Sequence, residues 1–145
     1  MKIKENIFGI AELLLGAALA AGSVTLFAAC GAHEGKYMAC HWAQNAVTLI
    51  GAVIALTAFV KILAKDSGVK AGIAFTHFLL AVGTAFIPGR IINICMMDTM
   101  RCQTVFKPAV IVTALILAAV SGIDAAVAIK KTGRSSNVPE KTAAY

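Results

Sequence analysis

Charge is what this sequence lacks: only 14% of its 145 residues are Asp, Glu, Lys or Arg, against roughly 25% in an ordinary soluble domain. Hydrophobic residues make up 59% even with the 12 glycines left out, which excludes a water-soluble globule. The few charges leave four long gaps, at 13–32, 37–60, 71–89 and 108–123, each near the ~20 residues that cross the apolar core of a bilayer. Other absences narrow the function. There is no phosphate-binding glycine loop, no nucleophile with an orienting base and no pair of loop carboxylates, so nothing marks an enzyme. No basic patch interleaved with aromatic residues or glycine is present, so nucleic acid is not a partner. No Cys-x-x-Cys occurs, and with it the usual activated-thiol redox pair is missing.

What is present is a small polytopic membrane protein. Spans are expected at about residues 7–29, 42–63, 72–92 and 108–129, and all four must be helices, because hydrocarbon offers no partner to an unpaired backbone amide. Pro108 suits the first turn of span four, Ser67-Gly68 breaks the chain between spans two and three, and Pro88-Gly89 kinks or ends span three. The fold class is therefore all-α integral membrane, a four-transmembrane-helix bundle in one domain over residues 1–131. Residues 132–145 are too polar to bury a core and read as a disordered tail.

Basic residues in short connections stay on the cytoplasmic side. Lys2, Lys4, Lys61, Lys65, Lys70, Lys130, Lys131, Arg134 and Lys141 share one side, whereas Lys36, Arg90, Arg101 and Lys107 lie on the other. Both termini are expected in the cytoplasm of a multi-pass cell-membrane protein. The net charge of +6 reads as this topology signal plus attraction to anionic lipid heads. A competing reading takes the basic start and the run Leu26-Phe27-Ala28-Ala29-Cys30 as a lipoprotein-type signal. Glu12 interrupts the apolar region and Phe27 is a poor residue three before the cysteine, so a retained first helix is preferred.

Laying the chain on itself with an offset of 62 residues places Met38-Ala39-Cys40-His41 over Met100-Arg101-Cys102-Gln103, and a three-residue gap aligns Cys30 with Cys95. Each half reads as a helix, an outer loop closed by two cysteines and a returning helix, a duplicated hairpin. All four cysteines fall on the oxidising, extracytoplasmic face. Short loops favour disulfides Cys30–Cys40 and Cys95–Cys102 among the three possible connectivities. A sharper reading notes that His33, Met38, His41, Met96, Met97 and Met100 share these loops. Thiolate, imidazole and thioether donors suit copper or zinc, or contact a haem, with His33, Met38, His41 and Met100 as the ligands. Cys30-x-x-His33 with Cys40-His41 is not a standard zinc spacing, so no cofactor is preferred.

Cys30, then Met38-x-Cys40-His41-Trp42, and later Cys95, Met100-x-Cys102 and Pro108 resemble a bacterial group of four-helix membrane proteins, domain of unknown function 4418. The resemblance covers the whole span pattern. It implies the architecture and no activity.

Glu12, His77 and Asp124 each lie five residues inside an expected span, and Lys61 lies two inside. Five residues are roughly 7 to 8 Å of helix, so the three share a depth in the inner leaflet. Charges there should face the bundle and pair, Glu12 or Asp124 with His77 or Lys61, as a packing clamp or as a proton or ion site, the alternative being that each side chain snorkels separately to the interface. Thr25, Thr48, Thr57 and Thr84 are too sparse to outline a path across the membrane. Ala114, Ala118, Gly122 and Ala126 recur every four residues on span four, and Gly16 with Ala20 does the same on span one, stripes that admit a close helix of this chain or of another membrane subunit. The preferred function is a non-enzymatic accessory or assembly partner of a larger membrane system, for example a transporter, with a disulfide-stapled outer cap. The alternatives are extracytoplasmic metal or haem binding and thiol exchange at Cys40 and Cys102.

Overall fold

A computed structural model describes residues 2–28, 39–94 and 99–135. Four helices follow one another: α1 (Lys2–Val24), α2 (Ala39–Leu63), α3 (Ser67–Phe86) and α4 (Lys107–Ser135). All four are long and apolar enough to cross a membrane, and no named strand occurs among the described residues. The large side chains left exposed, such as Ile10, Leu14, Leu56, Phe59, Leu79, Leu115 and Ile116, form an apolar coat that only lipid can solvate.

The helix ends depart from the expected spans for local reasons. Span one was expected to reach residue 29, but α1 stops at Val24. The Phe27 amide turns back to the Gly22 carbonyl, and the Phe27 ring lies where a Cβ on residue 22 would be, 2.4 Å from it. Only glycine leaves room for this ring. Helix α3 begins at Ser67, behind Asp66 in extended backbone, rather than at Gly72. It ends before Pro88, where Gly89 takes φ +89° and its amide bonds to the Ile92 carbonyl. Before α4, residues Cys102–Phe106 form a π-helical turn, closed by the Lys107 amide on the Cys102 carbonyl. Pro108, which has no amide hydrogen to donate, follows directly. Helix α4 runs to Ser135, past Thr132 where the tail was expected to start, and residues beyond 135 lie outside the described part.

Helix α1 packs chiefly on α2 and α3 on α4, while α1 with α4 and α2 with α3 form lighter seams. The first hairpin is fixed by glycines. A Cβ on Gly16 would lie 2.8 Å from the Ala55 nitrogen, and one on Gly51 would lie 2.7 Å from the Ala20 nitrogen, so the two backbones touch. The stripe of Gly16 and Ala20 thus serves an intramolecular contact. On α4 the four-residue stripe does not stay inside. Ala114 and Ala118 are buried and Gly122 sits under the Phe78 ring, but Ala126 is exposed. A step of four residues overshoots a 3.6-residue turn by about 40°, so three steps carry a stripe off the interior.

Candidate functional site

The face each helix buries follows alternating steps of three and four residues. On α1 it is Gly9, Glu12, Gly16, Leu19 and Ser23; on α2 it ends Gly51, Ile54, Ala58, Lys61. On α3 it is Ala74, His77, Ala81 and Thr84, and on α4 Val110, Ala114, Leu117, Ser121 and Asp124. Each stripe includes one ionisable residue, and all four lie toward the end of the bundle that carries the α2–α3 connection.

There they meet. The Lys61 ammonium donates to Glu12 Oε2 at 2.8 Å and to Asp124 Oδ2. His77 Nδ1 stands 2.9 Å from the same Glu12 oxygen, and His77 Nε2 stands 2.7 Å from the Thr57 hydroxyl. Glu12 is fully buried, and His77, Lys61 and Asp124 are no more than 5% exposed. Glu12 Oε1 is buried with no hydrogen-bond partner among the described residues. Two carboxylates, an ammonium and an imidazole therefore share one low-dielectric pocket, where ions persist only in mutual contact.

The surroundings differ on the two sides. Outward, Leu19, Ile54, Ala81 and Leu117, all fully buried, lie four to seven residues beyond the cluster members of their helices and form an apolar layer. The next polar contact, the Ser23–Thr48 hydroxyl pair at 2.7 Å, lies beyond it. Toward the α2–α3 connection a cavity of about 20 Å³ touches Lys61 and Asp124 and is bounded by Ser67, Lys70 and Lys131. That is room for one water molecule. A cleft of about 340 Å³ between α2 and α3 starts at Val69 and Gly72 and has Thr57, Thr76 and His77 in its wall. Among the four threonines too sparse to outline a path, Thr57 alone lies one turn before Lys61, and that spacing is the signal that it belongs to this group.

A family described as a domain of unknown function, DUF4418, matches residues 12–127. The chain belongs to this family. No curated protein and no solved structure matches the chain. The DUF4418 match begins at Glu12 and takes in Lys61, His77 and Asp124, so the whole ion cluster lies within the family region.

The residues of the outer loops are placed less completely. Cys40 opens α2 and Cys102 opens the π-helical turn, and both are fully buried in one core with Ala43, Val47, Ile94, Phe106 and Val110. Among the described residues there is no disulfide; the expected partners, Cys30 and Cys95, lie outside them, as do His33 and Met38. His41 is half-buried, with Asn45 Nδ2 3.2 Å from its Nε2 and the Trp42 ring edge-on at 6.2 Å. Met100 sits in the turn before Cys102, its carbonyl accepting the Gln103 and Thr104 amides. Among the described residues no three His, Cys, Asp or Glu are grouped to hold a metal ion.

Proposed function

We propose that this DUF4418 protein is a non-enzymatic accessory or assembly subunit of a larger membrane system, with both termini in the cytoplasm. One observation carries the reading: the charged cluster is a blind site. It is approached from the α2–α3 end, cytoplasmic by the distribution of Lys and Arg, and the layer of Leu19, Ile54, Ala81 and Leu117 closes it outward. A carrier acting alone needs a polar path through such a layer, and all four side chains that form it are apolar. A face for a partner is offered on α3 and α4, where Gly122 and Ala126 floor an apolar groove of about 240 Å³ flanked by Phe75, Phe78 and Ile129.

The experiment has two arms. The purified chain in liposomes should carry no proton or cation flux above protein-free vesicles. A photo-crosslinking residue at Ala126, in cells, should give one discrete protein adduct, whereas the same residue at Leu56, exposed on α2, should give none. Flux through the protein alone would overturn the accessory reading, and equal labelling from both positions would remove the assigned face.

The outer end completes the proposal. Cys40 at the start of α2 and Cys102 at the start of the π-helical turn each open a returning segment, which supports a cap in which each closes its own loop, Cys30 with Cys40 and Cys95 with Cys102. Non-reducing peptide mapping should return those two linked pairs. Each bond should stabilise the chain by about 2 to 3 kcal/mol. A Cys40–Cys102 peptide, or four alkylatable thiols, would reject the cap.

A further inference from the structure

The hydrogen bonds around His77 fix where hydrogens must be. Thr57 Oγ1 lies 2.7 Å from the Val53 carbonyl oxygen and 2.7 Å from His77 Nε2. A carbonyl has no hydrogen to give, so the single hydroxyl hydrogen of Thr57 is committed to Val53; otherwise two oxygens would face each other at 2.7 Å with nothing between them. The hydrogen between Thr57 and His77 then belongs to Nε2. On the other side of the ring, Glu12 Oε2 already accepts from Lys61, and with Glu12 ionised the hydrogen between this oxygen and Nδ1, 2.9 Å apart, belongs to Nδ1. Both ring nitrogens then donate, as they do in an imidazolium.

Charge counting within the cluster is consistent with that state. Glu12 on α1 and Asp124 on α4 contribute two negative charges, and Lys61 on α2 supplies one positive charge. With a neutral imidazole on α3, these four groups would carry one net negative charge, and Lys70 and Lys131, both half-buried, are the other cations beside the Asp124 cavity. A hydrogen on Glu12 Oε1 would not serve, because that oxygen has no partner to receive it. The small cavity reaches Lys61 and Asp124 from the α2–α3 end, the α2–α3 cleft runs from Val69 past His77 to Leu80 and Val53, and inside the bundle the apolar layer closes the cluster outward.

We propose that the cluster is a binding site for one proton, carried by His77 as an imidazolium between Glu12 and Thr57 and exchanged with water on the α2–α3 side alone. The site holds whether or not the protein is an accessory subunit; only the name of that side, cytoplasmic, rests on the orientation proposed above. Binding is the uptake of a proton from that water by a ring nitrogen of the neutral imidazole, and release is the reverse.

The test is nitrogen-15 NMR of the full chain in lipid nanodiscs in neutral buffer. His33 and His41 are replaced by glutamine so that His77 is the single labelled histidine. Both ring nitrogens should carry directly bonded hydrogen; one bare ring nitrogen would overturn the proposal. In Asp124→Asn the cluster is neutral without the extra proton, so the spectrum should change to that of a neutral ring, and an unchanged imidazolium would overturn the charge-balance argument. If Asp124→Asn does not fold, Thr57→Val, at a half-buried position, removes the acceptor for Nε2–H and should likewise reduce the imidazolium signal. An undiminished signal there would reject Thr57 as that acceptor.

Discussion

Replacing Lys61 with methionine will unfold this protein more readily than any other single change in the ion cluster. The ammonium touches both carboxylates and so ties α1 to α4 through α2. Removing it leaves two negative groups in the bundle interior with only His77 beside Glu12. Breaking a buried pair in this way costs about 3 to 5 kcal/mol, because the partner stays behind uncompensated. In a detergent denaturation series the midpoint of Lys61→Met should fall accordingly. Adding Asp124→Asn to that variant should recover part of the loss, with a coupling of about 0.5 to 3 kcal/mol. Strict additivity of the two substitutions would show that Lys61 and Asp124 do not act as a pair.

Gly51→Val should be nearly as damaging for a different reason. Its Cβ would stand 2.7 Å from the Ala20 nitrogen and 2.9 Å from the Gly16 oxygen, both backbone atoms that cannot rotate away as a flexible side chain could. The α1–α2 crossing must open, at a cost near the upper end of the usual range for overpacked cores, about 3 kcal/mol. Gly83→Val is the control. Nothing lies within 4 Å of a Cβ there and the residue faces outward, so its midpoint should move by less than about 0.5 kcal/mol. Equal losses at positions 51 and 83 would mean that the valine acts through backbone propensity and not through the crossing.

The four spans are legible because their signal is collective: long gaps between charges survive any error at single residues. Helix ends are not legible in that way. The stop at Val24 depends on one ring folding over Gly22, and the stop near Phe86 depends on the Gly89 turn, neither of which composition records. The equal distances of Glu12, His77 and Asp124 from the span ends bring them to one depth in the sequence. That Lys61 bridges the two carboxylates depends on which way its stem runs, and that Thr57 completes the group depends on rotation about α2. Both follow from reading steps of three and four residues, the pattern that also explains why the regular four-residue stripe of α4 drifts outward at Ala126. The outer cysteines were legible as a set of positions, but Cys30 and Cys95 lie outside the described residues, so their bonding rests on chemistry.

The way the ions are shared between the hairpins has a consequence for biosynthesis. Glu12 and Lys61 belong to the first hairpin, and His77 and Asp124 belong to the second. Each half therefore brings one acid and one base to the same depth. With His77 protonated, each hairpin leaves the insertion machinery carrying no net charge within its hydrocarbon-spanning part, so neither must wait in lipid for the other to neutralise it. The Lys61–Glu12 pair can form within the first hairpin, whereas the contacts Lys61–Asp124 and His77–Glu12 form only when the two neutral halves dock, so pairing between the hairpins follows entry into the membrane instead of being a precondition for it.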